Sequence, residues 1–346
     1  MSHAAEADVL VVGAGVMGAA AARSLCRRGR RVLLLERFDV GHARGSSHGA
    51  SRVFRFSYKD PTYVRMAMEA LPLWRELEAE AGEPLLVTVG ELEVGGDLRE
   101  QMGALESCGA AFEVVDGAEA SLRYPSLRFD PDEQVLYQPD GAMLAAERSV
   151  TAFVRSAVRH GAELRTRAPA LGLTSADAGV ELRLDGETIR AAVVVVTAGG
   201  WARGLLAGAG IDLPARTTAE TATYFPVRTS TRSPVLVEWT EPISYGLPTP
   251  AGGLKTGEHR TGPDTDPDRP PPPDPASMQR QATWVARRYR DAEPTPERAE
   301  TCLYTNVDEE RFVLERHGPV VVGSPCSGHG FKFAPLIGER LADLVG

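Results

Sequence analysis

Residues 9–36 limit what this chain can fold into more than any other stretch. Val9-Leu10-Val11-Val12 is a short apolar run of the kind a strand buried on both faces shows. Gly13-Ala14-Gly15-Val16-Met17-Gly18 follows, then Ala19 to Arg28 has helix-forming composition, and Gly29 stops it. Arg31-Val32-Leu33-Leu34-Leu35-Glu36 reads as a second buried strand, which makes a right-handed βαβ unit. A lone GxGxxG is a weak signal, but here it sits between strand and helix with an acidic residue closing the next strand. That context predicts a dinucleotide site. Gly13 permits the tight turn, Gly15 lets the backbone approach a pyrophosphate, and Gly18 allows helix to pack closely on strand. The helix N-terminus offers free amides to phosphate. Glu36, 23 residues after Gly13, is placed to accept hydrogen bonds from ribose hydroxyls.

NAD and FAD both use this unit. Two further glycine-rich turns follow buried strands, Thr197-Ala198-Gly199-Gly200-Trp201 after 191–196 and a second after Val320-Val321-Val322-Gly323. Both read as loops facing a long extended ligand, which favours FAD. With buried strands scattered from residue 9 to 323, the nucleotide domain is expected to be discontinuous. A chain of 346 residues also exceeds what one core usually organises. Tyr63 to Ala81 and Arg148 to His160 read as helices, a last helix starts near Pro335, and Gly262 to Pro275, with seven prolines, reads as an exposed loop.

A net charge of −9 argues against nucleic acid. The Arg27, Arg28, Arg30, Arg31 cluster is accounted for by a helix C-terminus. Cys26, Cys108, Cys302 and Cys326 are too scattered for a disulfide scaffold or a zinc site, so no metal is expected. The N-terminus lacks signal-peptide character, and Val9 to Ala22, broken by three glycines, is too short to span a membrane. The expected location is cytoplasmic.

Four segments carry a resemblance. Gly45-Ser46-Ser47-His48-Gly49-Ala50-Ser51-Arg52, Gly253-Leu254-Lys255-Thr256-Gly257-Glu258-His259, Cys302-Leu303-Tyr304-Thr305, and Ser327-Gly328-His329-Gly330-Phe331-Lys332 resemble the monomeric sarcosine oxidase family. N-methyltryptophan oxidase and pipecolate oxidase share these motifs. The likeness runs over nearly the whole chain, in order and with similar spacing. It implies the D-amino-acid-oxidase superfamily: FAD oxidises the carbon beside a secondary amine carrying a carboxylate, the imine hydrolyses, and O2 becomes H2O2. The implied fold is α/β (α+β overall). It comprises a Rossmann-type FAD-binding domain over 1–85, 145–215 and 300–346 and a mixed-sheet substrate domain over 86–144 and 216–299. A monomer is implied.

The resemblance also implies roles. Cys302 corresponds to the cysteine bonded to the flavin, and Lys255 to the lysine that promotes reaction with O2. Arg52 and Lys332 correspond to the pair that grips the substrate carboxylate. His259 and Tyr245 match substrate-pocket positions, and His48 and Ser51 match positions near the flavin ring. The amides of Gly328, His329 and Gly330 are expected to face the pyrimidine end of the flavin. Two departures stand out. The chain stops at Gly346, where the family continues into a tail, and Cys326 is a second thiol beside the flavin turn. Two other readings stay open: oxidation of a cyclic amine or imine intermediate in secondary-metabolite biosynthesis, and a flavin-binding protein without efficient catalysis.

Overall fold

The computed structural model describes residues 7–176, 179–229 and 233–346. Strand Ala7–Val12 has parallel partners on both sides, Val32–Leu35 and Thr188–Val196. All three are apolar on both faces where they pair, as strands covered twice must be. The parallel ladder runs on to Glu163–Arg165 at one end and to Val320–Ser324 at the other. Helix Val16–Arg27 starts directly on the glycine turn, three residues earlier than its composition suggests.

Helices Val16–Arg27, Pro61–Ala81, Ala146–Arg159 and Ala334–Val345 share one apolar core with a face of that sheet, around Ala20, Trp74, Phe153 and Leu341. Gly338 explains how closely the first and last of these cross, since a Cβ there would lie 2.7 Å from the Ala20 backbone. Local chemistry sets the ends of Pro61–Ala81. The Asp60 side chain accepts from the Thr62 amide at 2.7 Å, Pro61 opens the helix, and left-handed Gly82 closes it.

The second sheet has eight strands in the order Arg298–Val307, Ala215–Phe225, Leu254–Glu258, Ser244–Pro248, Val235–Glu238, Glu91–Val94, Gln134–Gln138, Glu113–Asp116. It is mixed: Val235–Glu238 and Glu91–Val94 run parallel, and every other pair is antiparallel. Helix Pro275–Arg288 covers one face through Trp284 and Val285 against Leu92, Phe225 and Leu236. Arg288 fastens that packing, bonded to Glu133 at 2.7 Å and Glu238 at 2.8 Å. A three-stranded antiparallel sheet pairs Ser51–Phe54 and Leu86–Thr88 with Ala142–Ala145.

One boundary differs from expectation. Residues 300–307, expected in the nucleotide domain, pair instead in the mixed sheet, because Arg298–Val307 runs in unbroken antiparallel register beside Ala215–Tyr224. A continuous strand cannot change sheets midway without losing its ladder. The proline-rich segment is a loop, and it is tied down: Asp268 accepts from Trp201 Nε1 and pairs with Arg37, each at 2.8 Å. Among the described residues, no helix is long and apolar enough to cross a membrane.

Candidate active site

One cavity of about 1370 Å³ runs from the glycine turn to the mixed sheet. It exceeds the roughly 300–1,000 Å³ typical of pockets for a single drug-sized ligand, leaving room for an extended dinucleotide and a second small molecule.

At its nucleotide end Gly13 has φ +99°, and a Cβ there would meet the Thr197 carbonyl at 2.7 Å. At Gly18 a Cβ would fall 1.8 Å from the Gly13 oxygen, so only glycine lets the helix sit on the strand. Gly15 opens the helix, with Ser47 Oγ the nearest atom to a Cβ, at 3.1 Å. Glu36 is buried and accepts from the amides of Ala14 and Phe38, both at 2.9 Å. Burial pushes its carboxyl up, but the hydrogen bonds of His42, Phe38 and Ala14 outweigh it and hold the group below its usual value.

Midway, the Gly45–Ser51 loop faces the Arg298–Val307 strand. The Arg52 guanidinium lies 3.7 Å from the Cys302 sulfur and bonds the carbonyls of Ser46, His48 and Ser51. His48 Nδ1 bonds the Gly45 carbonyl at 2.9 Å. Burial, helped by Arg52, brings His48 down to about 4, so the ring is neutral at pH 7 and Nε2 remains an acceptor. Lys255 is buried and donates to the Ser51 carbonyl at 3.3 Å. Burial, with Arg52 beside it, lowers its ammonium to about 7. Tyr245 is pushed up to about 12 by burial, with Cys302 next in effect. Cys326 lines the same region, its sulfur accepting from the Thr305 amide at 3.4 Å, and burial raises its thiol.

The turn after the last parallel strand is tight: Gly328 has φ +79°, and a Cβ on Gly330 would lie 1.6 Å from the Pro325 oxygen. The amides of His329 and Gly330 both donate to the Cys326 carbonyl. They are spent within the turn instead of facing a ligand, contrary to expectation. The next amides, at the start of the 3-10 turn Phe331–Phe333, have no acceptor within that turn. His329 Nε2 bonds the Glu310 carbonyl at 2.9 Å, and burial, then Lys332, brings this ring down to about 3.

At the far end Lys332 donates to the Tyr58 hydroxyl and the His329 carbonyl, each at 2.7 Å. The guanidinium beside it is Arg55, 4.7 Å above the Tyr58 ring and bonded to Glu93 at 2.7 Å. Arg52, expected as the partner of Lys332, is turned to Cys302 instead. His259 Nε2 lies 3.3 Å from Glu310, which also takes Arg260 at 2.8 Å. Burial would raise Glu310, but the His259 and Arg260 hydrogen bonds hold it at about 2.

Sequence reasoning passed over Arg55, Tyr58, Glu300 and Glu310. Arg55 had a signal, a second arginine three residues after Arg52 and just past the end of the same short strand, while the others meet the site only through long-range folding. The orphaned buried atoms test the fit to a ligand. Ser51 Oγ, Ser324 Oγ, Trp239 Nε1 and His329 Nδ1 have no partner among the described residues, and all four residues line the cavity. Buried polar groups need partners, so these atoms, the glycine cradle and the ionised Glu36 suit an extended dinucleotide continuing to a thiol and a basic pocket.

Such a fold and site define an FAD-dependent oxidoreductase. Residues 8–344 match the family of FAD dependent oxidoreductases, and the chain belongs to it, with FAD as its cofactor. It is 34% identical to the monomeric sarcosine oxidase of Streptomyces avermitilis, over 98% of this chain and 93% of that protein. It is 31% identical to the peroxisomal sarcosine oxidase of Homo sapiens, over 97% and 91%. Among solved structures it is similar to NikD, an unusual amino acid oxidase essential for nikkomycin biosynthesis. That match has a TM-score of 0.90 and 27% identity, over 98% of this chain and 94% of NikD.

Proposed function

We propose that this protein oxidises a small secondary amine bearing a carboxylate, an N-methyl or cyclic amino acid, to the imine while O2 is reduced to H2O2. The observation that carries this reading is the far end of the cavity, where the two basic side chains Lys332 and Arg55 converge on Tyr58. Bound FAD is the two-electron carrier between amine and O2.

Arg55 and Lys332 fix the substrate carboxylate, the fork by paired hydrogen bonds and the lysine, whose ammonium burial and Arg55 hold well below its usual value, by taking up charge as the anion enters. Tyr58 and the His329 carbonyl hold Lys332 in place for that contact. Tyr245 and His259 shape the space around the amine, with His259 oriented by Glu310. Lys255, buried near Cys302 with its ammonium lowered to about 7, offers positive charge in its protonated form where O2 gains electrons. Cys302 forms the covalent bond to the flavin, with Arg52 standing where the sulfur develops negative charge. Glycines 13, 15 and 18 and Glu36 hold the adenosine and pyrophosphate. The protein acts as a monomer, a reading the Streptomyces relative supports.

A second reading takes a cyclic amine or imine intermediate of secondary metabolism as substrate. The likeness to NikD supports it. So do polar atoms on Gln101 and Trp239, which line the cavity and have no partner among the described residues.

Aerobic turnover of sarcosine, other N-methyl amino acids, pipecolate and proline tests the proposal. One H2O2 per amine oxidised supports it. No peroxide from any of them, with flavin intact, would favour the second reading.

A further inference from the structure

Lys255 lies in a row of side chains that crosses three strands. In register it stands opposite Tyr224, which stands opposite Arg298. Glu300, two residues beyond Arg298 on the same face, reaches back with Oε1 3.7 Å from Lys255 Nζ. Its carboxylate also takes the Tyr224 hydroxyl, and Arg298 at 3.0 Å. Gly49 seals the pair from the other side. It has φ +92°, and a Cβ there would lie 2.4 Å from Glu300 Oε1 and 3.2 Å from Lys255 Nζ.

The charges facing Lys255 come from each element packed on it: Arg52 and neutral His48 from the loop and strand below, Tyr224 beside it, and Arg298, Glu300 and Cys302 from the edge strand. Arg52 and Arg298 both oppose an ammonium. Among the described residues that face it, Glu300 and the Cys302 thiol favour one. If the Cys302 sulfur becomes a thioether, it can no longer carry charge, and Glu300 is the anion left.

We propose that Glu300 is a positioning residue that holds the Lys255 ammonium against the Ser51 carbonyl and keeps it charged, and so sets the pH range over which the reduced protein reacts with O2. This rests on the reading of Lys255 as the group that faces O2. Nothing in the roles proposed above uses Glu300.

The test exploits a property of the chain: it has only three lysines, Lys59, Lys255 and Lys332. Holoprotein grown on lysine labelled with 13C at Cε gives three resonances, and Lys255→Met identifies one of them. In Glu300→Gln the Lys255 midpoint should fall by about one to two pH units, with Lys332 unmoved. The upper pH limit of reoxidation by O2, followed in stopped flow, should fall with it. Glu300→Asp, which keeps the charge, should restore most of both. A Lys255 resonance that titrates alike in wild type and Glu300→Gln overturns the proposal. A shifted resonance with an unshifted oxidation profile instead contradicts the role of Lys255 in O2 reduction, and with it the oxygen half of the inference.

Discussion

The Arg52 guanidinium stands 3.7 Å from the Cys302 sulfur, and its other hydrogen bonds run to the backbone oxygens of Ser46, His48 and Ser51. A cation solvated by carbonyls and facing a thiol is set to serve that thiol. Cys302→Ser should therefore release all its flavin on denaturation, while wild type and Cys326→Ser keep theirs bound to the chain in a denaturing gel. Arg52→Lys should give incomplete attachment, because a single ammonium cannot span three carbonyls and the sulfur. Flavin retained by denatured Cys302→Ser and lost from Cys326→Ser would exchange the two thiols.

Arg55 and Lys332 have the opposite signature. Each should contribute a charge-assisted hydrogen bond to a carboxylate, so Arg55→Lys or Lys332→Ala should raise KM roughly ten- to hundredfold. Steady-state kinetics on the best amine checks this. A KM that rises in Arg52→Lys and stays put in Arg55→Lys would restore the pairing expected from sequence.

That exchange of arginines shows where sequence reading stops. The strand, glycine turn, helix and acidic strand end were legible because each step is local: apolar run, Gly13 to Gly18, Glu36. Cys302 and Lys255 were legible because their motifs are contiguous, and the structure brings both to one cavity. Arg52 and Arg55 are three residues apart near one strand, an odd spacing that sends them to opposite sides of it. Which one meets Lys332 depends on Tyr58 and His329, 274 and three residues from Lys332 along the chain. Glu300 was invisible because its partner, Lys255, is two strands away. The same long-range pairing carries residues 300–307 into the mixed sheet.

His48 and His329 are depressed to about 4 and about 3, mainly by burial. The folded protein keeps them neutral while the unfolded chain protonates near 6.5, so their stabilisation is full above that value and drains as pH falls towards 4 and then 3. Glu80, on helix Pro61–Ala81, where burial is outweighed by hydrogen bonds from Ser156 and Arg23, and Glu310 are both held at about 2 and act the same way only below 4.5. Urea midpoints should therefore drop between about pH 6.5 and 4.5, and His48→Gln should lose part of that drop. An equal midpoint at both ends of this interval would mean that the rings are not buried neutral.

Gly15 and Gly18 separate ligand binding from folding. A Cβ at Gly15 meets nothing closer than Ser47 Oγ at 3.1 Å, whereas one at Gly18 collides with the Gly13 oxygen at 1.8 Å. Gly15→Ala should fold but bind FAD poorly, and Gly18→Ala should yield little soluble protein. Circular dichroism with the ratio of flavin to protein absorbance distinguishes them, and full flavin content in Gly15→Ala would remove the pyrophosphate from that turn.

The central claim, oxidation of a secondary amino acid at the far end of the cavity, is tested most directly by anaerobic titration of the purified yellow protein. Sarcosine, N-methyl amino acids, pipecolate and proline are added in turn while the visible flavin band is followed. Bleaching by one or more of them, weakened in Arg55→Lys and absent with the matching amine that lacks the carboxylate, is the predicted result. Bleaching by the carboxylate-free amine as readily as by the amino acid would contradict it.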